Sequence, residues 1–406
     1  MEVVKLGSLT NRKIGYGIVQ PGESVVDGIP VIKVNNIIAG LRNISELDTT
    51  KKENDEKYSR TRLKGGELLL SVVGTIGKTA VVPMSFAGCN LVRATALIDI
   101  PDSQMTKWVK YYINSPRGQY YIHENLNTTV QPTLNIKSIV DMPIPLFSNE
   151  YMEKATRILS SLDDKIEVNR RINENLEAQA QALFKSWFVD FEPFRDGEFV
   201  ESEHGMIPKG WRVGKVDDII EISKKSISPI KSPNVLFSHY SIPAYDNGKQ
   251  PESQFGKEIM SNKFLVHDRM ILFSKLNPKI KRIWYVENVP ENSICSTEFV
   301  PYVAKDITLS AFVYSLISSQ GFYDFVMSMV NGATGSHQRF HPEEALLYQM
   351  AYNEDVAVKF SKIVEPMISQ ILNNQQESRR LATLRDTLLP RLMSGELKVN
   401  EIEKSL

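Results

Sequence analysis

Residues 149–191 read NEYMEKATRILSSLDDKIEVNRRINENLEAQAQALFKSWFVDF, without a single Gly or Pro. Built almost wholly of strong helix formers, about forty residues in one helix would reach roughly 60 Å. Ala155, Leu159, Leu162, Ile166, Asn169, Asn173, Leu176, Ala180, Leu183 and Trp187 follow alternating steps of four and three, which is a heptad seam. Two Asn in its middle cost stability and specify register. A helix of this length in mid-chain cannot bury its seam alone and needs a partner.

Residues 355–397 supply one. Shifting each seam position by about 205 gives Phe360, Val364, Met367, Ile371, Asn374, Ser378, Leu381, Arg385, Leu388 and Leu392, with Asn169 falling on Asn374. Arg385 is the one discordant member. The period is too long for a solenoid and suits a whole domain plus a helix.

The segments between the helices repeat as well. In residues 1–148, strands are expected at 29–34, 67–73, 79–82 and 91–100, with a tight glycine loop at 74–78. Residues 49–62 are highly charged, 108–122 read as helix, and 125–133 (NLNTTVQPT) form a polar loop. Residues 192–211, rich in Gly, Pro and charge, read as a linker. Beyond it, 264–273 answer the strand before the glycine loop and set Ser274 on Ser71. Residues 281–286 answer the strand after that loop, and 299–303 the strand at 91–98. Residues 312–326, with Gln320-Gly321, answer the helix bearing Arg117-Gly118, and 331–340 (NGATGSHQRF) answer the polar loop. The offset stays between about 203 and 206. The order is therefore domain, helix, domain, helix, an α+β chain with boundaries near 1–148, 149–191, 192–353 and 354–406. The two helices are expected to pack as an antiparallel pair, with Pro366 and Pro390 kinking or restarting the second.

Composition bounds the rest. The chain has 406 residues, 42% of them hydrophobic, enough for two or three domains with cores. Its 48 basic and 48 acidic residues balance, so any polyanion binding would rest on local clusters. Cys89 and Cys295 read as buried thiols in a reducing compartment. No signal peptide or long apolar run is seen, so a cytoplasmic protein is expected.

The arrangement resembles the specificity subunit of type I restriction–modification systems. The helical phrases carry the resemblance: Leu162-Asp163-Asp164-Lys165-Ile166 with Asn169, Leu176-Glu177-Ala178-Gln179-Ala180, and Leu183-Phe184-Lys185-Ser186-Trp187-Phe188. The second copy offers Arg385-Asp386-Thr387-Leu388-Leu389-Pro390-Arg391-Leu392 and Ser394-Gly395-Glu396. The resemblance covers essentially the whole chain; the domains between match only in outline. It implies two target-recognition domains, each reading one half of a bipartite site in double-stranded DNA. It also implies that the helices space the domains and dock two methyltransferase subunits, through which motor-nuclease subunits join. S-adenosylmethionine, ATP and Mg would belong to those partners, and this subunit would carry neither cofactor nor catalysis.

Several motifs bear on that implication. Gly77-Lys78-Thr79 ends like a phosphate loop, but Val72 stands where the first glycine is needed and a strand follows in place of a helix. The Asn/Asp-Pro-Pro-aromatic motif of an amino-methyltransferase is missing, since the chain has no Pro-Pro pair. No His/Cys spacing suits zinc. Asp163-Asp164-Lys165 reads as solvated helix charge, not a nuclease centre, and His337 and His341 as loop polar groups. For DNA, the candidate contacts are Lys275, Lys279, Lys281 and Arg282, the densest basic cluster, at the place of the first domain's glycine loop with Thr75 and Lys78. The polar loops add Thr128, Thr129 and Gln131 in one domain and Ser336, His337, Gln338 and Arg339 in the other, with Gln338 and Arg339 the best base readers. The plain alternative for the basic cluster is a solvated turn. Two other functions stay open: a coiled-coil scaffold whose domains bind proteins, and a fused, self-sufficient restriction–methylation enzyme, against which the missing motif weighs.

Overall fold

The structure is a computed structural model that describes residues 1–127, 131–330 and 338–397. The chain divides into two compact units, one formed by residues 1–167 and 378–406, the other by residues 168–377. Both long stretches are helical as read, Asn149–Phe188 and Glu354–Met393, forty residues each. The units divide each helix near its middle, so each unit contains one mixed domain and half of each helix.

Within each unit the helix halves run antiparallel. In the first, Tyr151 donates to the carbonyls of Leu392 and Leu397 at 2.9 and 3.0 Å, and Arg385 bonds Asp163 at 2.8 Å. In the second, Asn374 Nδ2 donates to Asn173 Oδ1 at 2.8 Å, and Asn169 Nδ2 to Glu377 at 2.7 Å. As one partner number rises the other falls. All the seam residues read from the sequence are buried or half-buried, among them Leu159, Leu162, Ile166, Leu176, Leu183, Met367, Ile371, Leu381 and Leu388. Asn169 and Asn374 are buried, and the amide nitrogen of each donates across the seam, which offsets part of the cost of placing amides there.

The buried stripe widens toward the helix ends, where the helices also cover a sheet. Phe188 lies 4.7 Å from Phe312, 5.3 Å from Phe360 and 5.6 Å from Trp211 by ring centroids. Each such contact contributes about 0.5–1.5 kcal/mol beyond its buried area. In the first unit Trp108 sits 5.8 Å from Phe147, with its indole donating to Pro145 O at 2.8 Å.

The repeat extends to topology. The first unit has a four-stranded antiparallel sheet in the order Gly15–Tyr16, Thr95–Ile98, Leu68–Ser71, Thr79–Val81. The second has Ile220–Ile222, Phe299–Ala304, Ile271–Ser274, Ile283–Tyr285 in the same order. Each unit adds a further sheet with one parallel pair, Ile29–Ile32 with Asn90–Leu91 and Leu236–Tyr240 with Ser293–Cys295. Each four-stranded sheet packs against two consecutive helices, Ser103–Asn114 and Pro116–Glu124 or Ser310–Ser318 and Gln320–Ser328. The central strands, buried on both faces, read as unbroken apolar runs for that reason.

Several sequence expectations change. The strand expected at 91–100 is two strands in different sheets, split by a turn in which Thr95 N donates to Val92 O at 3.0 Å. The helix expected at 108–122 breaks at Ser115, because Pro116 has no N–H and Ser115 caps the next helix by accepting from Gly118 N. Ser319 caps the second copy by accepting from Phe322 N, which sets Gly118 against Phe322 and not Gly321. Residues 192–211 are not a bare linker. They fold a hairpin, Phe199–Ser202 with Gly205–Pro208, and Phe191 and Phe194 pack on Trp211. The second long helix does not restart at either proline. Val364 and Ile368 are buried around Pro366, as are Leu389 and Leu392 around Pro390, so side-chain packing holds the helix through both missing donors.

Candidate nucleic-acid interface

Two loops close the same strand pair, one in each unit. In the first, Ser71 N donates to Lys78 O at 2.8 Å, and Ser71 Oγ donates to Thr75 O at 2.6 Å while accepting from Lys78 N at 2.8 Å. Gly77 has φ +85° and lies against Gln119, where a Cβ would come within 2.7 Å of the amide oxygen. Glycine answers both the backbone conformation and the close approach. Gln119 Nε2 donates to Gly77 O at 3.0 Å and to Ile113 O at 2.8 Å, tying the loop to the end of a helix. Thr75, within the loop, and Lys78, at its closing end, are exposed.

The second loop repeats the plan with one more residue. Ser274 N donates to Arg282 O at 3.0 Å, and Ser274 Oγ donates to Leu276 O at 3.1 Å. Tyr323, four residues past the helix cap as Gln119 is past its own, donates between the carbonyls of Pro278 and Lys279, 3.1 and 3.2 Å away. Gln119 and Tyr323 were not legible as a pair, since an amide and a phenol share no type; only their equal distance from Ser115 and Ser319 relates them.

In each unit the polar loop docks beside this loop through one antiparallel bridge, Val73 with Thr133 and Leu276 with Arg339. Leu134 N donates to Val72 O at 3.0 Å, and Asn277 N to Gln338 O at 2.8 Å. The strand-closing loop and the polar loop therefore lie side by side in both units, a juxtaposition that spacing along the sequence does not reveal. Gln131 is exposed beside the first loop, and Gln338 is half-buried beside the second. Thr128, Thr129, Ser336 and His337 lie outside the described residues.

The basic cluster does not form one exposed face. Arg282 is 8% exposed and grips Asp246 through two bonds of 2.7 and 2.8 Å. It anchors the base of the loop and does not share an exposed face with Lys279. Lys281 donates to Ser318 O at 2.6 Å and lies 5.2 Å from the Tyr323 ring centroid. Arg339 is exposed but forked onto Glu298 by two bonds of 3.0 Å. Among the described residues no ion pair engages Lys78, Lys275 or Lys279, of which Lys78 and Lys279 are exposed. Glu298 was missed; its backbone O also accepts from Lys275 N at 2.9 Å, so one residue serves both loops.

Asp163 is likewise not solvated charge. Its carboxylate takes Arg385 at 2.8 Å, the Tyr111 hydroxyl at 2.8 Å and Lys110 at 3.3 Å. Burial works to raise its pKa, but Lys110, Arg385 and Tyr111 outweigh it and hold the carboxyl below its ordinary value. Arg385, discordant in the seam, is there for this pair. Beyond Lys78 the chain continues as the strand Thr79–Val81, so no helix follows the Gly77-Lys78-Thr79 turn to complete a phosphate site.

A family model described as "Type I restriction modification DNA specificity domain" matches residues 1–178. The chain is 26% identical over 389 residues to the type I restriction enzyme MjaIX specificity subunit of Methanocaldococcus jannaschii, covering 90% of this chain and 84% of that one. It is 30% identical over 155 residues to the EcoBI specificity subunit of Escherichia coli, covering 38% of this chain and 32% of that one. The crystal structure of a type I restriction–modification S subunit from M. genitalium matches with a TM-score of 0.53 at 13% identity, over 96% of this chain and 95% of that one, a likeness of fold. The family model and these relatives are all of type I restriction specificity subunits, the family that the helical phrases resemble, and the solved S subunit shares the fold.

Proposed function

We propose that this chain, a non-catalytic subunit, recognises a bipartite site in double-stranded DNA, each mixed domain reading one half. The domains at 1–148 and 192–353 carry the recognition loops. The helices Asn149–Phe188 and Glu354–Met393 space them and dock two methyltransferase subunits, and through these the motor-nuclease subunits. S-adenosylmethionine, ATP and Mg belong to those partners, and the cytoplasm is where such an assembly meets its DNA. The observation that carries this reading is the loop pair built twice. In both units a strand-closing loop, pinned by a side chain from the same helix position, is bridged to a polar loop and presents an exposed lysine, Lys78 or Lys279. Rigid loops with exposed cations beside amide and guanidinium groups suit phosphate positioning together with base-edge contacts. A gel-shift assay of the full chain, co-purified with its methyltransferase partner, against a random-sequence duplex pool is the test. Enrichment of a two-part motif is expected; a pool retained without sequence preference, or not at all, would favour a scaffold whose domains bind proteins.

A further inference from the structure

The second strand-closing loop bears an apolar residue that the fold does not use. Ile280 is 54% exposed. Counted back from the closing residues Lys78 and Arg282, its counterpart in the first unit is Ile76, which is half-buried against that unit's core. The extra residue in the second loop accompanies this difference. Singly exposed apolar side chains are ordinary on protein surfaces, so exposure alone carries nothing.

What distinguishes Ile280 is how firmly its backbone is held. Its N–H donates to Asn277 O at 3.0 Å, closing a turn in which Asn277 has φ +48°. Asn277 N donates to the polar loop, Tyr323 pins the carbonyls of Pro278 and Lys279, and Lys281 and Arg282 are tied to Ser318 O and Asp246. Every residue on either side of Ile280 is thus fixed, while its own side chain faces outward beside the exposed Lys279. A branched apolar group presented on a fixed, cationic loop fits an apolar spot within a polyanion. On the base edges of duplex DNA that spot is the C5-methyl of thymine in the major groove.

We propose that Ile280 is a specificity-determining residue that packs on a thymine methyl in the half-site read by the second unit. The inference rests on the DNA-recognition reading above and deepens it. The test uses the full chain with its methyltransferase partner and the duplex it selects. The relevant half is the one unchanged when residues 1–148 are exchanged for a relative's. Each thymine in that half is replaced in turn by deoxyuridine, which lacks only the methyl. One replacement is expected to weaken binding about fourfold, as for one buried methyl. Ile280→Ala should weaken binding to the thymine duplex at least as much and become indifferent to that uracil, and Ile280→Leu should keep the thymine preference. Overturning results are a half-site without thymine, equal binding of every uracil duplex, or an Ile280→Ala variant that still discriminates. A loss in Ile280→Ala with no uracil effect would mark a wedge between base steps and also overturn it. Lys275→Ala with Lys279→Ala separates the two levels. If that variant binds as the wild type does, the loop reading falls and Ile280 with it; if it weakens binding while Ile280→Ala does not, Ile280 alone falls.

Discussion

Arg385 occupies a seam position that a helix pair would fill with Leu, and Asp163 gives the reason. Removing one partner of a half-buried ion pair leaves the other without compensation, which costs more than the pair gains. Asp163→Asn should therefore lower unfolding stability by about 1–3 kcal/mol at neutral pH, leaving Lys110 facing a neutral amide and Arg385 with Asp386 as its remaining carboxylate partner. The folded carboxyl titrates below its unfolded value of about 3.9, so its contribution is complete above that pH and is lost as pH falls through the folded value. Urea midpoints of wild type and Asp163→Asn should converge on acidification below about pH 4; a gap that persists there would mean the pair is not the cause. The basic loop separates by the same logic of partners. Lys275→Ala with Lys279→Ala should leave the unfolding midpoint in place and reduce the slope of log K for DNA against log salt by about 0.9 for each phosphate no longer neutralised. Arg282→Ala should instead destabilise the fold, because the packing of a buried side chain and its two bonds to Asp246 are lost. An unchanged slope in the lysine variant would place that cluster in solvent. From sequence these side chains look alike, four cations within eight residues; Asp246, thirty-six residues upstream of Arg282, decides which one turns inward.

At the scale of elements, the heptad spacing showed which helix face is covered, and the covering confirms it residue by residue. Its period was legible because side chains three and four apart share a face. The Asn pair fits a register device: Asn374 reaches Asn173 and Asn169 reaches Glu377, and a slip of one heptad would set these amides against Leu or Ile. Adding one matched heptad to each helix, after Leu176 and at the facing turn of the second, should keep the seam and lengthen the spacer of the recognised site. Adding two residues to one helix should break the seam and abolish binding. Methylation mapping in cells reads both outcomes, and an unchanged spacer after the heptads would remove the helices as the spacing element. The prolines show where local rules lose. Each removes a donor and crowds the preceding turn, a cost of about 3 kcal/mol in isolation, yet apolar contacts on both sides keep the helix whole.

At the scale of the molecule, the repeat is one of topology more than of side chains. Two four-stranded sheets share a strand order, two helix pairs share a serine cap, and two loops share a serine staple. Each unit also closes its own core, with separate clusters around Trp108 and Phe312. Independent cores predict modular recognition: replacing residues 1–148 by the same region of a relative should change one half of the methylated motif and leave the other intact. Sequencing of methylated sites from cells carrying the exchanged chain checks this. A change in both halves would mean that the two domains read DNA jointly.

By itself the sequence determined the two long helices, their seam, the order of domain and helix, and the landmarks of the repeat. All of these follow from short-range periodicity, from Gly and Pro placement, and from apolar runs that only a covered strand tolerates. It also carried the family resemblance, through phrases on those helices. The tertiary structure decided what depends on residues far apart in the chain. It split the expected strand between two sheets, folded the expected linker into a hairpin, turned Arg282 onto Asp246, and placed Asp163 under Arg385. Spacing within a segment governs which face a side chain takes, but a charge is free or spent according to what another segment brings within about 3 Å, and only the folded chain sets that distance.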